Sequence, residues 1–449
     1  MPSLAYLSLG CFKNLVDTEK ILAELSAQGF EILPGRGGAS SLDGAHALVI
    51  NTCGFIDPAK DESIDAILEA VEEKKAGRLK VIAVVGCMVE LWKKELSHEI
   101  PEVDIWLGLS ELGRLGAELS LRLGPLKRKG QGLPRLITTP SHLSFLKISE
   151  GCSHSCTFCL IPRIRGPLNS RPVDEIIREA NFLEARGVKE ITLIAQDTAA
   201  YARDRGEQGA LCRLLRELLE RTQVPWYRLL YVHPENLDDE VLDLMAGSTR
   251  VLSYLDLPFQ HISDKILRAM GRRQSADEIL SLIGRVRERI PGLVLRTTLV
   301  VGFPGEREDD FERLVEFTRQ VRFDWMGAFV FSPQEGTRAA SLPDPVPEHV
   351  AQERHETLLD TQQEINRELS QERIGSTQTV LVDERFDEGG FSYIGRTAGQ
   401  AYEIDGAVLL RGEFRPGSFC RVKITDALDY DLIGEKATER APSGKRMSG

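Results

Sequence analysis

Eight cysteines are spread over 449 residues, and six of them fall into two sets of three. The tight set is Cys152, Cys156 and Cys159, in the run Gly151-Cys-Ser-His-Ser-Cys-Thr-Phe-Cys-Leu160. Three thiolates spaced C-x3-C-x2-C can hold three corners of a four-iron, four-sulfur (4Fe–4S) cluster, leaving the fourth iron open to a small molecule. Other readings of the spacing stay open. Bacterial ferredoxins use a C-x2-C-x2-C-x3-C run with a fourth cysteine. Structural zinc takes four closed ligands, and His154, which would complete such a site, lies between the first two cysteines, where joint ligation is cramped. Unligated thiols are the third reading.

The loose set is Cys11, Cys53 and Cys87, each closing an apolar run: Ser8-Leu-Gly-Cys11, Asn51-Thr-Cys53-Gly and Val85-Gly-Cys87-Met. Singly, each reads as buried filler, since free cysteine is among the most buried residue types. Together, with a glycine beside each for room, they read as ligands of a second cluster. Cys212 and Cys420 stand alone and read as packing residues.

The elements that must position these thiols fall into three segments. Over residues 1–125, apolar runs at Leu4–Leu9, His46–Ile50 and Lys80–Val85 read as buried parallel strands, with helices at Asp17–Gln28 and Asp61–Lys75 between them. Asp57-Pro58 offers a helix start, the carboxylate as cap and proline in the first turn. This order implies a doubly wound parallel sheet, whose strand ends form the ligand edge, so three strand-end thiols converge on one rim. A basic linker follows at 126–140, where Lys127–Lys129 reads as a solvated loop.

Residues 141–372 repeat a strand–helix unit. Strands at Leu143–Ser149, Glu190–Ala195, Trp226–Val232, Tyr254–Leu257, Val294–Val301 and Trp325–Phe331, with helices such as Val173–Arg186 and Asp309–Gln320, imply a partial (β/α)6 barrel resembling a TIM barrel. Chemistry on such barrels sits at the carboxyl ends of the strands. The tight cysteine set follows the first strand. Gln196-Asp197, His233, Gln260-His261, Arg296, Thr298 and the turn Val301-Gly302-Phe-Pro-Gly305 mark the others and form a candidate ligand ring. Each one singly is as well explained by loop hydrogen bonding. Residues 373–436 change to short strands (Thr377–Asp383, Phe391–Thr397, Ala407–Leu410, Phe419–Ala427), as in a small antiparallel β-barrel, after a helix at 348–372. The tail, 437–449, is polar and expected to be disordered.

Net charge is −12, which disfavours long-range attraction to bare nucleic acid and favours a basic partner. No apolar stretch reaches the ~18–20 residues that span a bilayer, and the start of the chain lacks a secretory pattern, so a cytoplasmic protein with reduced thiols is expected.

With these three segments in place, the chain resembles the radical S-adenosylmethionine (SAM) methylthiotransferase family over about residues 4–435. The C-x3-C-x2-C run carries the superfamily likeness, and Phe158 matches the aromatic that packs near the SAM adenine there. Ser8-Leu-Gly-Cys11-Phe-Lys-Asn14-Leu-Val-Asp17, Gln196-Asp197-Thr198, Leu255-Asp-Leu-Pro-Phe-Gln-His261 and Glu403-Ile-Asp-Gly406 look like the branch acting on an aspartate of small-subunit ribosomal protein S-twelve. Phe12 stands where proline is common, and Arg396–Tyr402 is a looser match.

The resemblance implies two 4Fe–4S clusters, one held by Cys152, Cys156 and Cys159 with SAM on its open iron, the other by Cys11, Cys53 and Cys87. It implies SAM contacts from Phe158, Gln196, His233, Gln260, Arg296 and Gly302, a C-terminal TRAM barrel, and an electron donor such as flavodoxin or ferredoxin. The alternatives are a methylthiotransferase acting on tRNA adenosine and a single-cluster radical SAM enzyme. Residues 376–435 hold six basic and eleven acidic side chains, which suits a basic protein substrate better than RNA, although RNA contact through the TRAM barrel stays open.

Overall fold

The computed structural model describes residues 1–36, 38–124 and 133–437. The Lys127–Lys129 loop and the polar tail beyond Ala437 lie outside the described residues. Three large sheets follow one another along the chain, with a two-stranded ribbon of Ser149–Glu150 and Asn169–Ser170 beside the second.

The first sheet is built on parallel strands Ser3–Ser8, Ala47–Thr52, Val81–Gly86 and Ile105–Leu107, side by side in that order. Glu31–Ile32 pairs parallel with the opposite edge of the first strand, and short strands at Gly35–Arg36 and Ala39–Ser40 extend that edge. Neither sequence periodicity nor length marks these two-residue strands. Helices cover both faces. Phe12–Gln28 and Leu115–Leu123 pack Ile21, Leu25 and Leu119 on one side; Asp57–Lys75 and Cys87–Glu99 pack Ile67, Val71 and Val89 on the other. The winding direction reverses between Ser3–Ser8 and Ala47–Thr52, and such a switch point is where open α/β sheets bind ligands.

The helix expected from Asp61 begins at Asp57, and Asp57 is not its cap. Ile56 holds that position, and the Asp57 carboxylate instead accepts from Lys60 Nζ (2.8 Å) and from Ser332 Oγ (2.5 Å) and Gln334 Nε2 (3.1 Å) of the second segment. A distant partner outcompeted the local backbone.

The second sheet has six parallel strands in chain order, Leu143–Lys147, Glu190–Ile194, Trp226–Leu229, Val251–Asp256, Val294–Val301 and Trp325–Val330, open between first and last. Along Val294–Val301 fully buried residues alternate with half-buried ones, so Leu295, Thr297, Leu299 and Val301 share one face and Arg296 and Thr298 the other. Helices between the strands are locally encoded. Ala276–Arg289, for instance, starts in a Ser275–Glu278 capping box and ends with Arg287 and Arg289 in its last turn.

The third sheet is a closed barrel of five strands, Thr377–Glu388, Phe391–Thr397, Val408–Arg411, Phe419–Ala427 and Leu432–Lys436, entered from the helix Glu348–Glu372. The fifth strand, short and followed by polar residues, is absent from the sequence reading.

One apolar cluster joins all three sheets. Phe12 and Val16 of the first helix meet Phe145, Trp226 and Trp325 of the open barrel and Leu381, Ala401 and Phe419 of the closed one. Phe12 stacks on Phe145 at 3.9 Å. Among the described residues no helix is long and apolar enough to cross a membrane.

Candidate active site

Each loose-set cysteine sits at a strand-to-helix turn. Cys11 is the residue before helix Phe12–Gln28, Cys53 lies just ahead of Asp57–Lys75, and Cys87 opens Cys87–Glu99. Helix amino ends carry partial positive charge and favour thiolates. The three thiols feel one another: the charges of Cys11 and Cys53 both act on Cys87, and that of Cys11 on Cys53. The rim is tight. Gly10, at φ +80°, lies so close to Cys53 that a Cβ there would stand 2.6 Å from the Cys53 Cβ and 2.8 Å from its Sγ. Only glycine fits.

Cations surround this trio. Burial alone would raise the Cys11 thiol, but Lys13 and Arg165 outweigh it and hold it below its ordinary value. Burial dominates at Cys87, pushed up to about 12 despite Arg165. Arg165 Nη2 donates to Cys87 Sγ (3.2 Å) and to Asn14 Oδ1 (3.1 Å), while Nη1 donates to Asp17 (2.9 Å) and Glu150 (2.9 Å). Lys147 binds the same two carboxylates.

Arg165 closes the short helix that follows the tight cysteine set, and Glu150 precedes that set. The guanidinium thus ties the helix after the tight set, and Glu150 before it, to the Cys87 thiol of the loose set. Cys152, Cys156 and Cys159 lie on a loop pinned at both ends: Cys152 N–H donates to Gly166 O (3.1 Å), Thr157 N–H to Met270 O (2.9 Å), and Ala339 N–H to Thr157 O (2.9 Å). Backbone N–H groups of His154 and Ile161 point at Cys152 Sγ and Cys159 Sγ (3.5 Å each). Burial pushes the Cys159 thiol up to about 12. Donor sets of three thiols, with N–H groups and cations aimed at sulfur, fit the ligation of anionic iron–sulfur clusters.

Beside Cys152 lies a cavity of about 230 Å³, lined by His154, Asp197, His233, Asn236 and Arg273 among others. His154 stacks on His233 at 3.8 Å, and its Nε2 pairs with Asp197 Oδ2 (2.8 Å), which also accepts from Asn236 Nδ2 (2.6 Å). His154 is thus committed to Asp197. Burial, with Arg272 and His154 beside it, depresses His233 far below the ordinary histidine range and keeps it neutral.

The six residues expected around SAM divide. His233 lines the cavity. Gln196 donates to Glu150 (2.8 Å), and its buried Oε1 has no partner. Phe158 packs edge-on to Phe303 at 6.4 Å. Gln260 takes a left-handed backbone (φ 71°) and bridges to Leu299. Arg296 and Gly302, like Phe158, Gln196 and Gln260, do not line the cavity. Arg296 pairs with Asp256 (2.9 Å) and with Asp405 of the closed barrel (3.4 Å), and Gly302 abuts Ala351. Cys212 is buried in the open barrel's core, and Cys420 packs partly buried against that of the closed one. Sequence reasoning missed Lys13, Glu150 and Arg165 as site residues. Only Lys13 carried a signal, its place inside the Cys11 motif.

Comparison with known proteins follows this division. Residues 146–318 match the Radical SAM superfamily, 3–108 the uncharacterized protein family UPF0004, and 374–436 the TRAM domain. The chain is 42% identical over 448 residues to the ribosomal protein uS12 methylthiotransferase RimO of Syntrophomonas wolfei, covering 96% of this chain and 99% of that one. It is 41% identical to the protein of the same name from Clostridioides difficile, covering 98% and 100%. Among solved structures, the radical S-adenosylmethionine methyltransferase TsrM from Kitasatospora setae superposes with a TM-score of 0.53 at 14% identity, over 84% of this chain and 78% of that one. That likeness speaks for the fold alone.

Proposed function

This chain belongs to the RimO family of radical SAM methylthiotransferases, and on that footing we propose that it adds a methylthio group to the β-carbon of an aspartate of small-subunit ribosomal protein uS12. The observation that carries this reading is the contact of Arg165, which ends the helix after the Cys152–Cys159 loop, with the Cys87 thiol of the other trio.

In this reading Cys152, Cys156 and Cys159 hold one 4Fe–4S cluster with SAM beside it, and Cys11, Cys53 and Cys87 hold a second. When bound, the clusters and SAM supply the one-electron chemistry, the methyl group and the sulfur, which acid–base catalysis cannot replace at so weakly acidic a C–H bond. The chain's own residues hold and shield. Lys13 and Arg165 offset the negative charge of the N-terminal trio. Asp197 and Asn236 fix His154 beside the Cys152 loop. The partnerless Gln196 Oε1 offers an acceptor to the ligand, and Phe158 an apolar wall. The apolar cluster joining the three sheets holds the domains that carry the trios against one another. The thiols stay reduced in a cytoplasm where flavodoxin or ferredoxin supplies electrons.

Charge separates this target from tRNA adenosine. Residues 376–435 expose five basic and seven acidic side chains. Asp383 and Asp405 are buried partners of Arg396 and Arg296, so the surface excess of acid is smaller than the sequence count. A phosphate-gripping barrel needs a positive face, and the exposed charges of this one are acidic on balance.

The test is to incubate anaerobically reconstituted enzyme with uS12 and with tRNA separately and weigh both. Methylthio product on uS12 is expected; product on tRNA alone overturns the target. The wild-type chain should hold about eight irons, and the Cys11/Cys53/Cys87→Ala variant about four with no product. About four irons in the wild-type chain overturns the second cluster.

A further inference from the structure

Of the three thiols on the N-terminal rim, Cys87 is the one whose sulfur receives a side-chain hydrogen bond from the next domain. Backbone N–H groups of their own turns serve the other two, those of Asn14 and Lys13 at Cys11 and those of Phe55 and Gly54 at Cys53. At Cys87 the donor is the Arg165 guanidinium, whose Nη2 lies 3.2 Å from Sγ. Arg165 ends the helix Ile161–Arg165, and Ile164 of that helix packs on Cys87 together with Leu160. Cys87 is thereby buried, whereas Cys11 and Cys53 are half-buried.

The guanidinium is held so that it cannot turn away. Nη1 donates to Asp17 and Glu150 (2.9 Å each), Nη2 donates to Asn14 Oδ1 (3.1 Å) as well as to Cys87, and the side chain is 2% exposed. Burial works against its charge, but Asp17, Cys87, Glu150 and Cys11 outweigh it and keep it cationic. Lys147 shares both carboxylates, so two cations meet two acids here, and Arg165 is the member whose N–H points at sulfur. A cluster gains negative charge when it is reduced. A fixed donor on a ligand sulfur, shielded from water, therefore favours the reduced form.

We propose that Arg165 is a positioning residue that raises the reduction potential of the N-terminal cluster through its hydrogen bond to Cys87. This rests on the function proposed above, in which Cys11, Cys53 and Cys87 hold that cluster. The segment that carries the tight cysteine set then tunes the metal centre of the other domain, and the potential belongs to the assembled chain.

The experiment uses the full-length chain as a Cys152/Cys156/Cys159→Ala parent, reconstituted anaerobically so that the N-terminal cluster is the one left, with about four irons. A dithionite titration read by electron paramagnetic resonance gives its midpoint potential. Adding Arg165→Gln should move the midpoint to more negative values. The reduced-to-oxidised ratio at a fixed potential should change at least about tenfold, the scale of one hydrogen bond to a charged group, which is about 59 mV for one electron. Arg165→Lys keeps the charge without the planar fork and should move it less. A midpoint in Arg165→Gln equal to the parent's, or more positive, overturns the inference. A second measurement needs no Arg165 variant to hold its cluster: with isotopically labelled arginine nitrogen, the reduced parent should show a hyperfine coupling from the guanidinium, and a spectrum without it overturns the inference. A parent without iron overturns the proposed second cluster, and this inference with it; a loaded parent whose midpoint ignores Arg165 overturns the inference alone.

Discussion

A glycine, not a cysteine, sets the tolerance of the N-terminal rim. With Gly10 at φ +80° and its missing Cβ 2.6 Å from that of Cys53, Gly10→Ala must displace the Cys53 side chain. The expected outcome is a folded protein that keeps about four of about eight irons after reconstitution, read by iron assay. The cysteines were legible in the sequence because their spacing is itself chemical information. Arg165 was not, since a lone arginine in a loop reads as solvated until its neighbours Asp17, Asn14 and Cys87, remote in sequence, are placed around it. The strand position of Arg296 suggested a ligand contact; its side chain pairs with Asp256 and Asp405, partners that the local sequence did not reveal.

Between elements, the closed barrel docks on the open one through a buried chain of charges. Glu190 accepts from Arg228 (2.7 Å) and from Arg396 (2.7 Å), Arg396 also grips Asp383, and Asp383 meets His142 (2.9 Å). Glu190→Gln leaves two buried guanidinium groups short of charge and should cost about 3–5 kcal/mol, read as a lowered denaturant midpoint. Burial alone would raise the Glu190 carboxyl, but Arg228 and Arg396 outweigh it and hold it below the ordinary value. Its stabilising contribution is therefore complete above the ordinary carboxylate range and fades as pH falls through the folded-state value. In Glu190→Gln the acid limb of the stability–pH curve should be shallower; an unchanged limb would rule out this linkage. Element existence was largely legible: Val294–Val301, Phe391–Thr397, Phe419–Ala427 and the helix over 348–372 stand where pattern and composition put them. The Asp57 cap failed because Ser332 and Gln334, far away in sequence, offered the carboxylate better partners.

For the whole molecule, the net charge of −12 should aid encounter with a basic ribosomal protein. Raising KCl from about 0.1 M to about 1 M shortens the Debye length from about 10 Å to about 3 Å, so kcat/KM for uS12 should fall several-fold. A rate indifferent to salt would remove charge from the account of recognition. Spacing and period are local properties, and through them the sequence by itself determined the two cysteine trios, the order of sheets and the family. What only the tertiary structure decided is how those parts face one another. Phe12 enters the open barrel to stack on Phe145, Lys13 comes to rest on Tyr231, and Arg165 reaches Cys87. Such contacts depend on burial between separately folded sheets, and an apolar or basic residue looks the same in the chain whether it faces its own core, a neighbouring sheet or water.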